Sequence, residues 1–317
     1  APIAFAAATI ILMMVMRVCP ATAAPSEVVD LNIVAHQDDD LLFMQPDILN
    51  RYRQQGIGQV TVFVTAGNLR TDDTVYMRER ELGALDALGQ MGLMARDRRG
   101  VNAGTVHWTI HQVSYGEALV TQADGVEFPD LHAIFLRVPA SKSEDGERID
   151  RDLQDRAAPK VPNLGTLCND SRESVAAVDL SVRYDRQRLI DLLGTILDTW
   201  KPRHVRTQDS DNPFPEHPNR EYYDHADHFY SALFAKAALG LHIGHGHKPS
   251  VYWIYQGYVI AGWEDNLSLE EALSKARLFY AYSVADRQIG PFDVTKSDAP
   301  EIWSNWGGRE SGYSKYL

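Results

Sequence analysis

Two periods of apolar residues run through the chain. Val28–Ala35 is short and rich in β-branched residues, and Gln59–Thr65 repeats its character, so both read as strands. Between them, Leu41–Arg53 reads as helical with an interruption near Pro46. From Thr74 to Met91 the apolar positions Met77, Leu82, Leu85, Leu88 and Met91 recur at helical spacing, with Gly89 and Gly92 expected to end the helix. Val106–Ile110 and Ala133–Val138 are further strand candidates. Strand, helix, strand, helix, strand argues for an α/β fold with a parallel sheet flanked by helices.

Pro139–Asp179 breaks the rhythm. A charged, proline-punctuated stretch of about forty residues inside a compact domain is usually a lid or a loop that orders on binding. Helical periodicity returns over Asp185–Trp200 and stops at Pro202, before a short strand at His204–Gln208. Asp209–Asp224 is a second irregular loop. His225–Leu239 is helical with Asp224 as the expected cap, and Ser250–Ile260 is aromatic, β-branched and strand-like. Ser268 and Glu271 form a capping-box pattern that opens a helix to about Ala285. The tail from Pro291 shows no clear pattern. No repeat or linker stands out, so residues 25–317 are expected to form a single domain with insertions at about 139–179 and 209–224.

Composition narrows the partners. The 317 residues carry 31 Lys plus Arg against 43 Asp plus Glu, a net charge of −12 that repels phosphate backbones and disfavours nucleic acid. The two cysteines, Cys19 and Cys168, give no disulfide framework or zinc-finger spacing, so any metal has to use imidazoles and carboxylates. Ala1–Met16 is uncharged but shorter than the ~20 residues of a membrane span. With Arg17 and Ala21-Thr22-Ala23 after it, residues 1–24 read as a secretion signal, implying a secreted or envelope-associated protein close to a membrane. Retained in the fold, the segment would instead pack as a helix or strand, and the protein would be cytoplasmic.

The chemistry concentrates where the first strand ends. Ile33-Val34-Ala35 runs into His36-Gln37-Asp38-Asp39-Asp40 before Leu41-Leu42 turns apolar again. Buried carboxylates have to be paired or to coordinate a cation, and ligands of open α/β sheets bind beyond the carboxyl ends of the strands. His36 and Asp39, three apart across a tight turn, can converge on one cation and leave Asp38 free to take a proton. His225-Ala226-Asp227-His228 offers two imidazoles at i and i+3 on one helix face, a source for a third ligand. Two His and one carboxylate with an open position is a common catalytic zinc arrangement. Zinc lowers the pKa of water from ~15.7 to about 7. The acidic turn alone could also be a capping cluster or a magnesium or calcium site.

His36-Gln37-Asp38-Asp39-Asp40 resembles the A-H-P-D-D-E signature of the PIG-L (LmbE-like) zinc deacetylases, and His225-Ala226-Asp227-His228 resembles that family's later H-x-x-H. Arg78-x-x-Glu81-Leu82, with Ala84 and Leu88-Gly89, is similar to the segment after its second strand. The resemblance covers most of Val28–Leu239. It implies a Rossmann-like fold and hydrolysis of N-acetyl groups from glucosamine-containing glycoconjugates. It further implies one zinc ion per chain on His36, Asp39 and His228, Asp38 as general base, and His225 as the oxyanion-stabilising or acid residue. Asp40, Asn68 and Arg78 are then expected to contact the small-molecule substrate. Gln37 in place of proline is expected to loosen the turn, and Asp40 in place of glutamate to alter the pocket. The signal-like N-terminus, the A-H-Q-D-D-D variant and the long middle insertion resemble the glycopeptide-antibiotic deacetylases of teicoplanin type within this family.

Two rival classes remain. A metal-dependent phosphoesterase also uses His/Asp clusters, with two metals ~3.5–4 Å apart. A non-catalytic glycoconjugate-binding protein would close its metal site with four protein ligands. His242, His245 and His247 lie in a glycine-rich stretch with no carboxylate nearby in sequence, and are not expected to bind metal. Cys168 lacks the sequence partners of a nucleophile.

Overall fold

A computed structural model of the chain describes residues 19–20, 28–53, 57–68, 73–96, 106–141, 162–211, 224–292 and 301–315. The β-branched runs form β2 (Val28–Val34), β3 (Ile57–Thr65), β6 (Leu131–Val138) and β9 (His204–Gln208). They join β1 (Cys19–Pro20), β4 (Trp108–Tyr115), β5 (Ala118–Gly125), β10 (Val251–Tyr255) and β11 (Gly312–Lys315) in one nine-stranded sheet. The order is β1-β4-β5-β6-β3-β2-β9-β10-β11. The central strands β6-β3-β2-β9-β10 are parallel, while β4–β5, β5–β6 and β10–β11 pair antiparallel. The β2–β3 register runs from Val28 opposite Ile57 to Val34 opposite Phe63. A short hairpin, β7 (Ser174–Ala176) with β8 (Arg183–Asp185), stands apart.

Helices cover both faces. Leu31 and Ile33 of β2 pack with α5 (Arg186–Trp200) and α6 (Ala226–Gly244), joined by α4 (Leu164–Asn169). On the other face, Val34 and Phe63 pack with α1 (Asp39–Phe43), α2 (Asp47–Tyr52), α3 (Thr74–Ala95) and α7 (Leu269–Ser283). α8 (Glu301–Trp306) follows near the C-terminus. Burial of apolar side chains on two faces of one sheet is what keeps the central strands near-continuously hydrophobic.

Several expectations need correction. The glycines of α3 do not end it: Gly89 lies against Val106 and Gly92 against the Phe128 ring, so both are places where the helix must approach its neighbours closely. Leu82, one of the apolar positions at helical spacing, is 54% exposed. The strand expected at Val106–Ile110 begins at Trp108, and β5 returns from it through Gly116, whose φ of 62° suits a tight hairpin. The Ser250–Ile260 strand stops at Tyr255, and a 3-10 turn follows over Tyr258–Gly262. The capping box at Ser268 and Glu271 forms as expected. The tail holds α8 and β11, the latter antiparallel to β10. Residues 1–18, about half of the first predicted insertion (142–161) and most of the second (212–223) lie outside the described residues; the first insertion also carries α4 and β7. No helix among the described residues is long and apolar enough to cross a membrane.

Candidate active site

The turn after β2 sits where the chain order reverses, with β3 on one side of β2 and β9 on the other. It is braced from both neighbours. The Ala35 N–H donates to Gln208 Oε1 at 3.1 Å, and the Thr65 N–H donates to Ala35 O at 2.9 Å. Gln37 does not loosen the turn, contrary to expectation: its Nε2 donates to Thr65 O at 2.9 Å, so a side-chain amide replaces the stiffness of proline. α1 begins at Asp39, and its backbone wraps back on Asp38 O.

This places His36, Asp38 and Asp39 together, all under 9% exposed. Asp39 Oδ2 accepts from the His36 N–H at 2.6 Å and lies 3.3 Å from His36 Nδ1. Its other oxygen lies 3.1 Å from His228 Nε2. One carboxylate therefore faces two imidazoles, one from the turn after β2 and one from α6. Both rings are held from behind. His228 Nδ1 donates to Asp224 Oδ1 at 2.6 Å, and His36 Nε2 lies 3.1 Å from Asp227 Oδ2. Asp227 is fixed in turn by the Ser141 N–H at 2.8 Å and Ser141 Oγ at 2.6 Å.

His225 caps α6 rather than Asp224, its Nδ1 accepting from the Asp227 N–H at 3.1 Å. Asp224 lies one residue earlier and accepts from the N–H groups of His225 and Tyr258. The rings of His225 and His228 remain neighbours, with centroids 5.4 Å apart. Donor atoms of His36, His225 and His228 all lie within 4.8 Å of one another, as do those of His36, Asp38 and Asp39.

The charges follow from burial and pairing. Burial alone would lower His36, but Asp39 and Asp227 outweigh it and hold the imidazole up at about 9. Burial likewise opposes protonation of His228, yet Asp39 and Asp224 raise it well above the ordinary histidine range. Asp39 goes the other way: its burial is overcome by His228 and His36, which hold it well below the usual carboxylate range. Burial and the neighbouring His36 drop His225 to about 3, so that ring is neutral. Burial raises Asp38 and the Arg80 guanidinium beside it pulls it back in part, leaving it above its ordinary value. Asp40 is raised well above the carboxylate range by burial beside Asp39 and Asp38, and its Oδ1 has no hydrogen-bond partner among the described residues.

The donor set fits a divalent cation. His228 Nε2 is buried and, though close to Asp39, has hydrogen-bond geometry to no described group. His36 Nδ1, His228 Nε2 and the Asp39 carboxylate would hold the ion, because the opposite nitrogen of each ring is already engaged by Asp227 or Asp224. Carboxylates behind ligating imidazoles are the usual outer support of such sites. A cation in this place would replace the protons that the two imidazoles otherwise need.

The remaining expected residues take different positions. Asn68 is buried and its Oδ1 accepts from the Ala140 N–H at 3.0 Å, tying the end of β3 to the end of β6. Arg78 is exposed on α3. The guanidinium that reaches the site is Arg80's, which donates to Asp38 Oδ1. Glu81 turns instead to a two-pronged pair with Arg137, at 2.6 and 2.9 Å.

Asp224 was expected only as a helix cap, and Asp227, Arg80 and Tyr258 were not expected at the site. The first two flank the H-x-x-H histidines, and that proximity was the available signal. Tyr258 stands with its ring 4.9 Å from His228 and stacks on Trp306 at 4.6 Å. The second histidine cluster acquires a carboxylate in space: Asp198 of α5 accepts from Nδ1 of His242 and of His245, each at 2.6 Å, as a clamp between α5 and the end of α6. Cys168 is free and its thiol is pushed up by burial, which disfavours the reactive thiolate.

The family model for GlcNAc-PI de-N-acetylases, PIG-L, matches residues 31–239. Among solved structures, the chain is similar to N,N'-diacetylchitobiose deacetylase from Pyrococcus horikoshii bound to its inhibitor MPG, with TM-score 0.42, 14% identity, and 88% of this chain and 73% of that chain covered. It is also similar to GalB, the 4-carboxy-2-hydroxymuconate hydratase of Pseudomonas putida KT2440 (TM-score 0.40, 11% identity, covering 88% and 82%). A third is the zinc-inhibited form of teicoplanin deacetylase Orf2 (TM-score 0.39, 15% identity, covering 83% and 85%). No curated protein sequence matches. The family match spans most of the chain and contains both the acidic turn and the H-x-x-H segment. The chain belongs to the PIG-L family and is a de-N-acetylase acting on N-acetylglucosamine-type substrates.

Proposed function

We propose that this enzyme hydrolyses the N-acetyl (N-acyl) amide of a glucosamine-containing glycoconjugate with one zinc ion per chain. The observation that carries the reading is the Asp39 carboxylate shared between His36 and His228, with each ring backed by a further carboxylate. The ion, when bound, supplies Lewis acidity toward water and the acyl carbonyl.

The protein groups divide the remaining work. Asp38 takes the proton of the attacking water, and burial makes it a stronger base than an ordinary carboxylate. His225 is neutral, and because its Nδ1 accepts the Asp227 N–H, its own proton sits on Nε2. That N–H donates to the oxyanion that develops on the acyl oxygen. A neutral ring is a poor acid, so the proton gathered by Asp38 is the one returned to the leaving amine. Water and amide become acetate and free amine.

The narrower substrate reading is an N-acetylglucosamine carried on a glycopeptide-antibiotic pseudoaglycone. The A-H-Q-D-D-D variant supports it, as do Tyr258 and Trp306, partly exposed aromatic rings stacked beside the histidine pair. A phosphoesterase would need cationic groups open to a phosphate. At this site the described guanidinium, Arg80, is committed to Asp38.

Asp38→Asn tests the base. The variant is expected to keep its metal and lose turnover by about 10²–10⁴-fold. Ordinary turnover with metal bound would overturn the assignment.

A further inference from the structure

Arg80 is 9% exposed, and a guanidinium so placed needs acceptors for a rigid, planar set of donors. Three protein groups supply them. Nη2 donates to Asp38 Oδ1, Nη1 to Gly67 O at 3.1 Å and Nε to Tyr282 Oη at 2.6 Å. The Tyr282 hydroxyl passes the interaction on, donating to Asp286 Oδ2 at 2.7 Å, and Asp286 lies 3.6 Å from Arg80 Nε. Tyr76 Oη donates to the other oxygen of Asp286 at 3.0 Å. Asp286 is 1% exposed and Tyr282 fully buried, so this chain of contacts is built into the core rather than draped over it.

Gly67 shows how tightly the guanidinium is seated. Its φ is 56°, and a Cβ there would run into Gln37 Oε1 and Arg80 Nη1. The backbone comes close enough to offer its carbonyl only because no side chain is present.

We propose that Arg80 is the positioning residue for the Asp38 carboxylate, and that Tyr282, at the end of α7, and Asp286, just beyond it, fix Arg80 in place. Both anchors lie beyond residues 31–239, so a segment outside the family match sets the geometry of the base. Oδ1 of Asp38 is held by the guanidinium and Oδ2 is left to meet the proton. The proposal rests on Asp38 being the base, as inferred above.

The test compares Tyr282→Phe, Asp286→Asn, Arg80→Lys and Arg80→Ala with wild type and Asp38→Asn. The full-length, zinc-loaded chain is used, with an N-acetylglucosamine substrate that wild type turns over. Tyr282→Phe keeps the ring and removes only the linking oxygen, which guards against a trivial folding defect. The expected result is a fall in kcat of about 10- to 100-fold in Tyr282→Phe and Asp286→Asn, the range for a misplaced catalytic group. KM and zinc content should stay near wild type. Arg80→Lys should not restore rate, because an ammonium lacks the fork. Added guanidinium ion should recover part of the rate in Arg80→Ala. Wild-type kcat in Tyr282→Phe and Asp286→Asn, with Asp38→Asn inactive, would overturn the positioning role alone; so would losses that merely follow zinc content or KM. Full activity in Asp38→Asn would overturn the base assignment, and the positioning role with it.

Discussion

Gly257 gives a sharp test of the outer support of the metal site. A Cβ built there would lie 2.5 Å from His228 Nδ1 and closer still to Asp224 Oδ1. It would be driven between the two atoms whose 2.6 Å contact orients the histidine. Neither partner is the loose end of a flexible side chain: Asp224 is 5% exposed and His228 fully buried. The pair has to separate. Disturbing a carboxylate behind a metal-bound histidine typically costs 10–100-fold in metal affinity, about 1.4–2.8 kcal/mol. Overpacking adds a fold-stability cost of about 1–3 kcal/mol. The assay is zinc affinity of chelator-treated Gly257→Ala by competition with a chromophoric chelator, beside a thermal melt of both forms. Gly240→Ala is the control. Its Cβ meets nothing within 4 Å, it lies in α6, and the change should stabilise by ~0.5–1 kcal/mol with zinc affinity unaltered. Wild-type zinc affinity in a folded Gly257→Ala would refute the reasoning that Asp224 positions His228 for metal.

Two more predictions follow from the same geometry. His228→Ala removes a buried nitrogen that faces Asp39 and should leave the purified chain short of stoichiometric metal. Unchanged metal content by elemental analysis would count against His228 as a ligand. The metal-free protein should also respond to pH through His36. Its folded-state value is raised from 6.5 to about 9, so its stabilising contribution is complete below 6.5 and is lost as pH climbs through about 9. Zinc, which takes the place of the protons, should remove that alkaline loss. Melts of chelator-treated and zinc-loaded protein across this range that fall in parallel would contradict the idea.

The sequence revealed most where a physical demand could be met in few ways. A β-branched run ending in three carboxylates had to be a strand running into a polar site, and β2 with its turn is that. His204–Gln208 became β9 to the residue. The site's outer support was harder to read. Asp224 and Asp227 stand beside His225 and His228 in sequence, but their jobs depend on which ring nitrogen each one faces, and only the helix cap fixes that. The charged run Arg78-Glu79-Arg80-Glu81 was ambiguous for a different reason. α3 is packed by the sheet on one side and by α7 on another, so its apolar positions mark no single face. The inward arginine could not be told from its exposed neighbour two positions earlier. Gly89 and Gly92 misled similarly, because helix-breaking and close packing call for the same residue. The β4–β5 hairpin had a signal in Gly116-Glu117, a two-residue turn whose first position needs positive φ. The C-terminal strand had none, since β11 is an edge strand specified by its pairing with β10 rather than by a pattern of its own.

The central claim is metal-dependent removal of an N-acetyl group from a glucosamine-bearing substrate. Its most direct test is mass spectrometry of the reaction on an acetylated glycopeptide pseudoaglycone and on simple N-acetylglucosamine. Each is incubated with the metal-free protein and with protein carrying one zinc per chain. The account predicts loss of a single acetyl group from the glycopeptide substrate with the zinc-loaded protein alone, and a free amine on the sugar. Loss of the acetyl group at the same rate without metal would contradict it, as would release of a phosphate or an intact sugar in place of acetate.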